Sequence, residues 1–212
     1  VGRCYRLVAW GFLSATAVLA SGCATGTTAP SRFYLLSPLP DVEAAQPVTT
    51  APAGQVTVRL VTLSVPGYVD RPQIVDRASR NRLELAEFDR WAEPLEENVS
   101  RVLRDNLTYL LADDRILVVD RDFDVSADYL IGAKVLRMDS GPGDEVNLRV
   151  RWGIARKTVN EIVMVRTSHI TEPIGSGGYD AAVAALSRAL GKLSQEMATA
   201  LRALSQASGA SK

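Results

Sequence analysis

Two cysteines, a single histidine and a run of aspartates are the residues of this chain whose types could support covalent, acid–base or metal chemistry. Cys23 has the most informative surroundings. It ends an apolar run from Leu7 to Gly22 that is preceded by Arg3 and Arg6. A cationic start, an apolar core and small residues before a cut are the three parts of a secretory signal. The apolar core, Leu7 to Leu19, falls short of the roughly 20 residues a spanning helix needs. Leu19-Ala20-Ser21-Gly22-Cys23 follows the bacterial lipobox pattern, in which a small pair precedes a cysteine that is acylated and becomes the new N-terminus. The preferred leucine stands one place early here, and Ala20 fills its usual position. The chemistry expected of Cys23 is therefore lipidation. Cys4 lies in the segment to be removed, so the domain beyond Cys23 has no thiol for a disulfide, a zinc site or a redox step.

The remaining candidates do not assemble into a catalytic set. His169 sits in a strand-like stretch, and no motif places a serine nucleophile or an orienting carboxylate beside it. Gly175-Ser176-Gly177-Gly178 matches neither GxGxxG nor a Gly-Lys-Ser/Thr phosphate loop and reads as the start of a helix. Asp113, Asp114, Asp120, Asp122 and Asp124, gathered around Arg115 and Arg121, do not complete the calcium-loop pattern and read as solvated turn charges. A noncatalytic protein without metal or cofactor is expected. With 24 basic and 24 acidic residues and no long run of either sign, nucleic acid is not an expected partner.

The elements that must position these residues follow from periodicity. Residues 1–22 are expected to be signal, 23–30 a small, polar, lipidated tether, 31–206 a single domain and 207–212 a disordered tail. Phe33 to Leu36 has strand character, and the Pro-, Ala- and Thr-rich stretch from Leu39 to Gly54 reads as a loop inside the domain. Gln55 to Val65 alternates as Val56, Val58 and Leu60, then shifts phase to Leu63 and Val65, as a bulged strand does. Ile74-Val75 and Leu83-Glu84-Leu85 flank a hairpin loop at 78–81. From Trp91, a core anchor expected at a helix start, apolar residues recur at helical spacing through Leu110, with Pro94 in the first turn of a helix over about 92–111. Strands are expected over 116–120, from 129 to the turn at 141–144, over 146–154 and over 161–171, and a long second helix carries Val183, Leu186, Leu190, Leu193, Met197, Leu201 and Leu204 on one seam. The fold class expected is α+β, an antiparallel sheet with two main helices packed on one face.

Tyr68-Val69-Asp70-Arg71-Pro72-Gln73-Ile74-Val75-Asp76-Arg77, Glu87 through Leu95, Phe33-Tyr34-Leu35-Leu36, Trp152, and Tyr179-Asp180 through Leu193-Ser194 together resemble the PqiC family, the auxiliary lipoproteins of ABC-type, MCE-linked lipid transporters. The resemblance spans nearly all of the chain after Cys23. It implies a lipid-anchored periplasmic subunit that maintains the cell envelope by working with an MCE-domain protein and, through it, a permease and an ATPase. Ala24 after the cysteine implies the outer membrane under the enterobacterial sorting rule. Self-association into a homo-oligomer stays open. Within the matching segment, Tyr68, Asp70, Arg71, Pro72 and Gln73 form a proline-stiffened stretch suited to docking a partner subunit. The alternative for its charges is that Asp70, Arg71, Asp76 and Arg77 tie the loop to the sheet by ion pairs. The alternative for the whole chain is an envelope structural or assembly lipoprotein that docks to cell-wall or secretion machinery.

Overall fold

A computed structural model describes residues 29–39, 55–120, 126–141, 144–159 and 161–209. Cys23, the signal, most of the tether, the loop over 40–54, Asp122, Asp124 and the last three residues lie outside the described residues. The chain runs β1 (Arg32–Tyr34), β2 (Val56–Ser64), β3 (Gln73–Ser79), β4 (Arg82–Trp91), α1 (Leu95–Leu110), β5 (Ile116–Val119), β6 (Tyr129–Gly141), β7 (Glu145–Arg156), a single 3-10 turn (Lys157–Val159), β8 (Glu161–Pro173) and α2 (Gly178–Gly209). All of these belong to the unit Ser31–Lys212. No described helix is long and apolar enough to cross a membrane.

The eight strands make one sheet built around β6. One edge of β6 pairs antiparallel with β7, which pairs antiparallel with β8. The other edge is shared. β2 lies parallel along its first half, from Tyr129 to Lys134, and β3 meets it at Ser140. Beyond β2 lies β5, parallel to it, and beyond β3 lie β4 and then β1. Four of the seven described pairings are parallel and three antiparallel, so the sheet is mixed and the antiparallel expectation is corrected. Alternating apolar residues show that a strand has a buried face, but they are silent on which strand lies beside it. Here β3, β4 and α1 all intervene between β2 and β5, and the chain returns in the same direction, as a crossover must for parallel pairing.

Other expectations hold. The phase break in β2 is a register shift against β6 between Leu60 and Thr62. β3 and β4 form the hairpin around 80–81. Trp91 is buried, but it ends β4 and does not open the helix; its backbone N–H donates to the Pro72 carbonyl at 2.7 Å. Pro94, at φ −52° and ψ 130°, stands just outside α1. Glu96 and Glu97 then occupy the first turn, where carboxylates meet the positive end of the helix dipole. α2 continues to Gly209, past the expected domain end.

Leu60, Ile131 and Ile154 lie in register across β2, β6 and β7 and are all buried. This face carries both helices. Val99, Val102, Leu103 and Leu107 of α1 meet the seam of α2, where buried Ala185, Ala189 and Ala198 keep the surface low between the larger Leu190, Leu193 and Met197. A polar chain joins the sheet to α2: Trp152 Nε1 donates to Ser168 Oγ at 2.9 Å, and Ser168 donates to Glu196 at 2.5 Å. The indole N–H thus has the partner that a buried tryptophan needs.

Candidate docking surface

Of the five residues expected to dock a partner, Tyr68, Asp70, Arg71 and Pro72 lie on the loop between β2 and β3 and Gln73 is the first residue of β3; the structure divides them into a fixed base and an exposed tip. The N–H groups of Val69 and Asp70 both donate to the Pro66 carbonyl, at 3.0 and 3.2 Å, and that of Arg71 donates to the Val69 carbonyl at 2.8 Å. The turn closes on itself, and buried Val69 plugs it into the core. Tyr68 is half-buried; its hydroxyl donates to Asp139 Oδ2 at 2.7 Å and its ring lies under the Arg77 guanidinium, 5.5 Å from the centroid. Asp70, Arg71 and Pro72 are exposed, and Gln73, half-buried, opens β3. Proline fixes its own φ and restricts the residue before it, so the tip is presented with little backbone freedom.

Beneath the loop, Asp139 is the organising charge. Its Oδ2 accepts from Tyr68 and from Arg77 Nε and Nη2, at 3.1 and 2.8 Å, and its Oδ1 accepts from Arg137 Nε at 2.8 Å. Burial alone would raise the carboxyl pKa, but the donors from Arg77, Tyr68 and Arg137 outweigh it and hold the group below the ordinary aspartate range. Burial first, and the neighbouring Asp139 second, push the Tyr68 phenol up. Asp76 accepts from Ser140 Oγ and, at 2.5 Å, from the hydroxyl of Tyr179 on α2. Of the four charges that could have tied the loop down, Asp76 and Arg77 therefore bond to the sheet and α2. Asp70 and Arg71 make no ion pair among the described residues.

A second feature was not legible in the sequence. After β1, residues 36–39 form a strap held by side chains. Leu36 N–H donates to Asn98 Oδ1 at 3.2 Å, Ser37 N–H to Ser187 Oγ at 3.1 Å, and Leu39 N–H to Asn106 Oδ1 at 2.7 Å. Asn106 is fully buried and passes its amide N–H on to Ser194 at 3.2 Å. The two asparagines sit eight residues apart on α1, on the face that a hydrophobic-period reading assigns to core. β1 itself is fastened by Asp89, which takes the Arg32 fork at 2.7 and 2.9 Å and the Tyr34 hydroxyl at 2.8 Å. The Arg32 bonds keep Asp89 ionised to low pH, while burial first, and Asp89 second, raise the Tyr34 phenol to about 12. Between the strap and α2 lies an open groove of about 480 Å³ flanked by Phe33 and Leu35, which are 65% and 50% exposed.

The catalytic alternatives stay dispersed. His169 is exposed, and its Nε2 lies 3.4 Å from the Asn147 amide oxygen. Asp114 pairs with Arg202 and Asp120 with Arg104. No cluster of metal-ligating side chains occurs among the described residues. Gly175, Gly177 and Gly178 all have positive φ and shape the turn that starts α2, as expected.

No curated protein sequence matches this chain. Two crystal structures share its fold. One, of an uncharacterized protein, covers 82% of this chain and 99% of its own at 18% identity and a TM-score of 0.66. The other, protein XCC0632 from Xanthomonas campestris, covers 85% and 100% at 17% identity and a TM-score of 0.65. At such identities the likeness establishes the fold alone. A family model, ABC-type transport auxiliary lipoprotein component, matches residues 34–198, which takes in the last residue of β1, the strap, the β2–β3 loop, strands β2 to β8 and most of α2. The chain therefore belongs to the ABC-type transport auxiliary lipoprotein component family.

Proposed function

We propose that this protein is a PqiC-type subunit of an MCE-linked lipid transporter. Acylated Cys23 holds it to the periplasmic face of the outer membrane, and it docks to the MCE-domain protein through the tip of the β2–β3 loop. The observation that carries the docking reading is the contrast within that loop. Its base is pinned to Asp139, Pro66 and Trp91, yet Asp70 and Arg71 offer charge to solvent with no internal ion pair among the described residues. A charge that does nothing for the fold and is held in place by its neighbours suits recognition of a partner.

The test is recovery of the MCE-domain protein when the tagged, lipidated chain is solubilised from membranes. Wild type is expected to retain it, and Arg71→Glu to lose at least tenfold while thermal stability changes by no more than about 0.5 kcal/mol. Recovery of cell-wall or secretion components in its place would move the protein to the structural-lipoprotein reading. Undiminished recovery with Arg71→Glu combined with Asp70→Lys would remove the loop from the interface.

A further inference from the structure

The face of the sheet away from the helices carries an uncompensated cluster of cations. Lys134, Arg149 and Arg151 are exposed, alternating with Val135, Val150 and Trp152, which are buried against the helical layer. Lys134 of β6 stands directly opposite Arg151 of β7, and Arg137 directly opposite Arg149. Like charges facing across a ladder are destabilising, and a sheet usually separates them or supplies a carboxylate. Arg137 has one in Asp139. Lys134, Arg149 and Arg151 have no ion pair among the described residues. The partners of Arg149 and Arg151 on β8 are His169 and Thr167, which bring no negative charge.

The same face carries exposed aliphatic groups. Gly153 follows Arg151 in the alternation and pairs with Val165; Ala155 pairs with Ile162. Val165 and Ile162 are 61% and 69% exposed, on an outer strand whose far edge has no described neighbour. Gly132 and Gly153 stand side by side in the row after Lys134 and Arg151, with Val165 beyond Gly153 in the same row, so no side chain rises from the sheet at these two positions. Charges elsewhere are partnered: in the cleft between α1 and β2, Glu93 pairs with Arg101 and Asp120 with Arg104. A chain with no net charge thus presents a cluster of cations edged by exposed aliphatic residues on the open face of β6, β7 and β8.

We infer that this open face of β6, β7 and β8 lies against the anionic phospholipid surface of the membrane, with Lys134, Arg149 and Arg151 on the headgroups and Ile162 and Val165 in the interfacial layer. Cations beside exposed aliphatic residues are the signature of a surface that rests on lipid, each cation adding about 1 kcal/mol, or roughly fivefold in occupancy. The inference goes beyond the anchoring proposed for Cys23, because acyl chains attach the protein but do not orient it.

The experiment uses the full lipidated protein, with Thr167→Cys carrying an environment-sensitive fluorophore, on vesicles of phosphatidylcholine alone or with 30% phosphatidylglycerol. Vesicle flotation reads attachment and the fluorophore reads orientation. Wild type should float with both vesicles, but show a blue shift and quenching by spin-labelled lipid only with phosphatidylglycerol, reversed by 0.5 M salt. Lys134→Gln/Arg149→Gln/Arg151→Gln should still float while the face-down population falls roughly a hundredfold. Ile162→Ser/Val165→Ser should weaken quenching at unchanged salt dependence. Removing like-charge pairs does not threaten folding, and thermal unfolding of each variant verifies this. Failure to float would overturn the acyl anchor. Normal flotation with the same fluorescence on both vesicles, or fluorescence that changes only when a partner protein is added, would overturn the face-down orientation.

Discussion

Asp139 illustrates how a single carboxylate can serve both a loop and a sheet. Its folded pKa lies below the unfolded value, so its contribution is fully present above about pH 4 and is lost as pH falls through the folded value. Asp89 and Glu172 are shifted the same way, Asp89 mainly by Arg32. For Glu172, burial acts upward but is outweighed by Lys192 at 2.5 Å and Arg188 at 3.2 Å. Urea unfolding should therefore show stability level from neutral pH to about 5 and falling below about 4. Asp139→Asn should lower the plateau by about 2 kcal/mol and flatten that acid limb, because the amide keeps the shape but not the charge. None of these partnerships could be read along the chain. Tyr68 and Asp139 are 71 residues apart and Asp76 and Tyr179 are 103 apart, so only the fold brings them together. What was legible at this scale was the burial of Trp91, expected as a core anchor, and of the apolar residues that alternate along β7.

Between residues and the whole lie the strands, and their extents were readable where their neighbours were not. The alternation of Val146, Leu148, Val150, Trp152 and Ile154 delineates β7, and the phase break at Leu60 marks a real irregularity in β2. The parallel placement of β2 against β5 and β6 depends on the path of the chain through β3, β4 and α1, and hydrophobic period does not encode that. Two glycines side by side in the sheet give a discriminating test. A Cβ at Gly153 would lie 2.8 Å from the Met164 carbonyl oxygen, whereas one at Gly132 would have nothing within 4 Å. Gly153→Ala should destabilise by about 2 kcal/mol, because backbone and not a movable side chain blocks it. Gly132→Ala should be neutral to within about 0.5 kcal/mol, and thermal melts of the pair will separate the two. The strap offers a second test at this scale. Asn106→Leu leaves the Leu39 N–H without its acceptor and should cost about 2 kcal/mol, with faster hydrogen exchange confined to residues 36–39.

At the scale of the molecule, a chain without net charge sets the cations on the open face of β6 and β7 apart from the ion-paired charges of its helices. Composition excluded a globally basic protein but was blind to this separation, which exists only once β6, β7 and β8 lie side by side. If Cys23 is the anchor, Cys23→Ser should abolish incorporation of labelled palmitate while leaving the unfolding curve of the domain unchanged. Retained label would place the acyl group elsewhere. The order of fastenings at the N-terminal end has a mechanical consequence. A force drawn through the residues before Ser31 meets the three residues of β1 and the Arg32 fork on Asp89 first, then the asparagine-held strap, and only afterwards the long strands around β6. Rupture would then proceed from short contacts to long ones, so a tug on the anchor would lengthen the leash by a few residues and leave the load-carrying sheet, its loop and its cationic face whole.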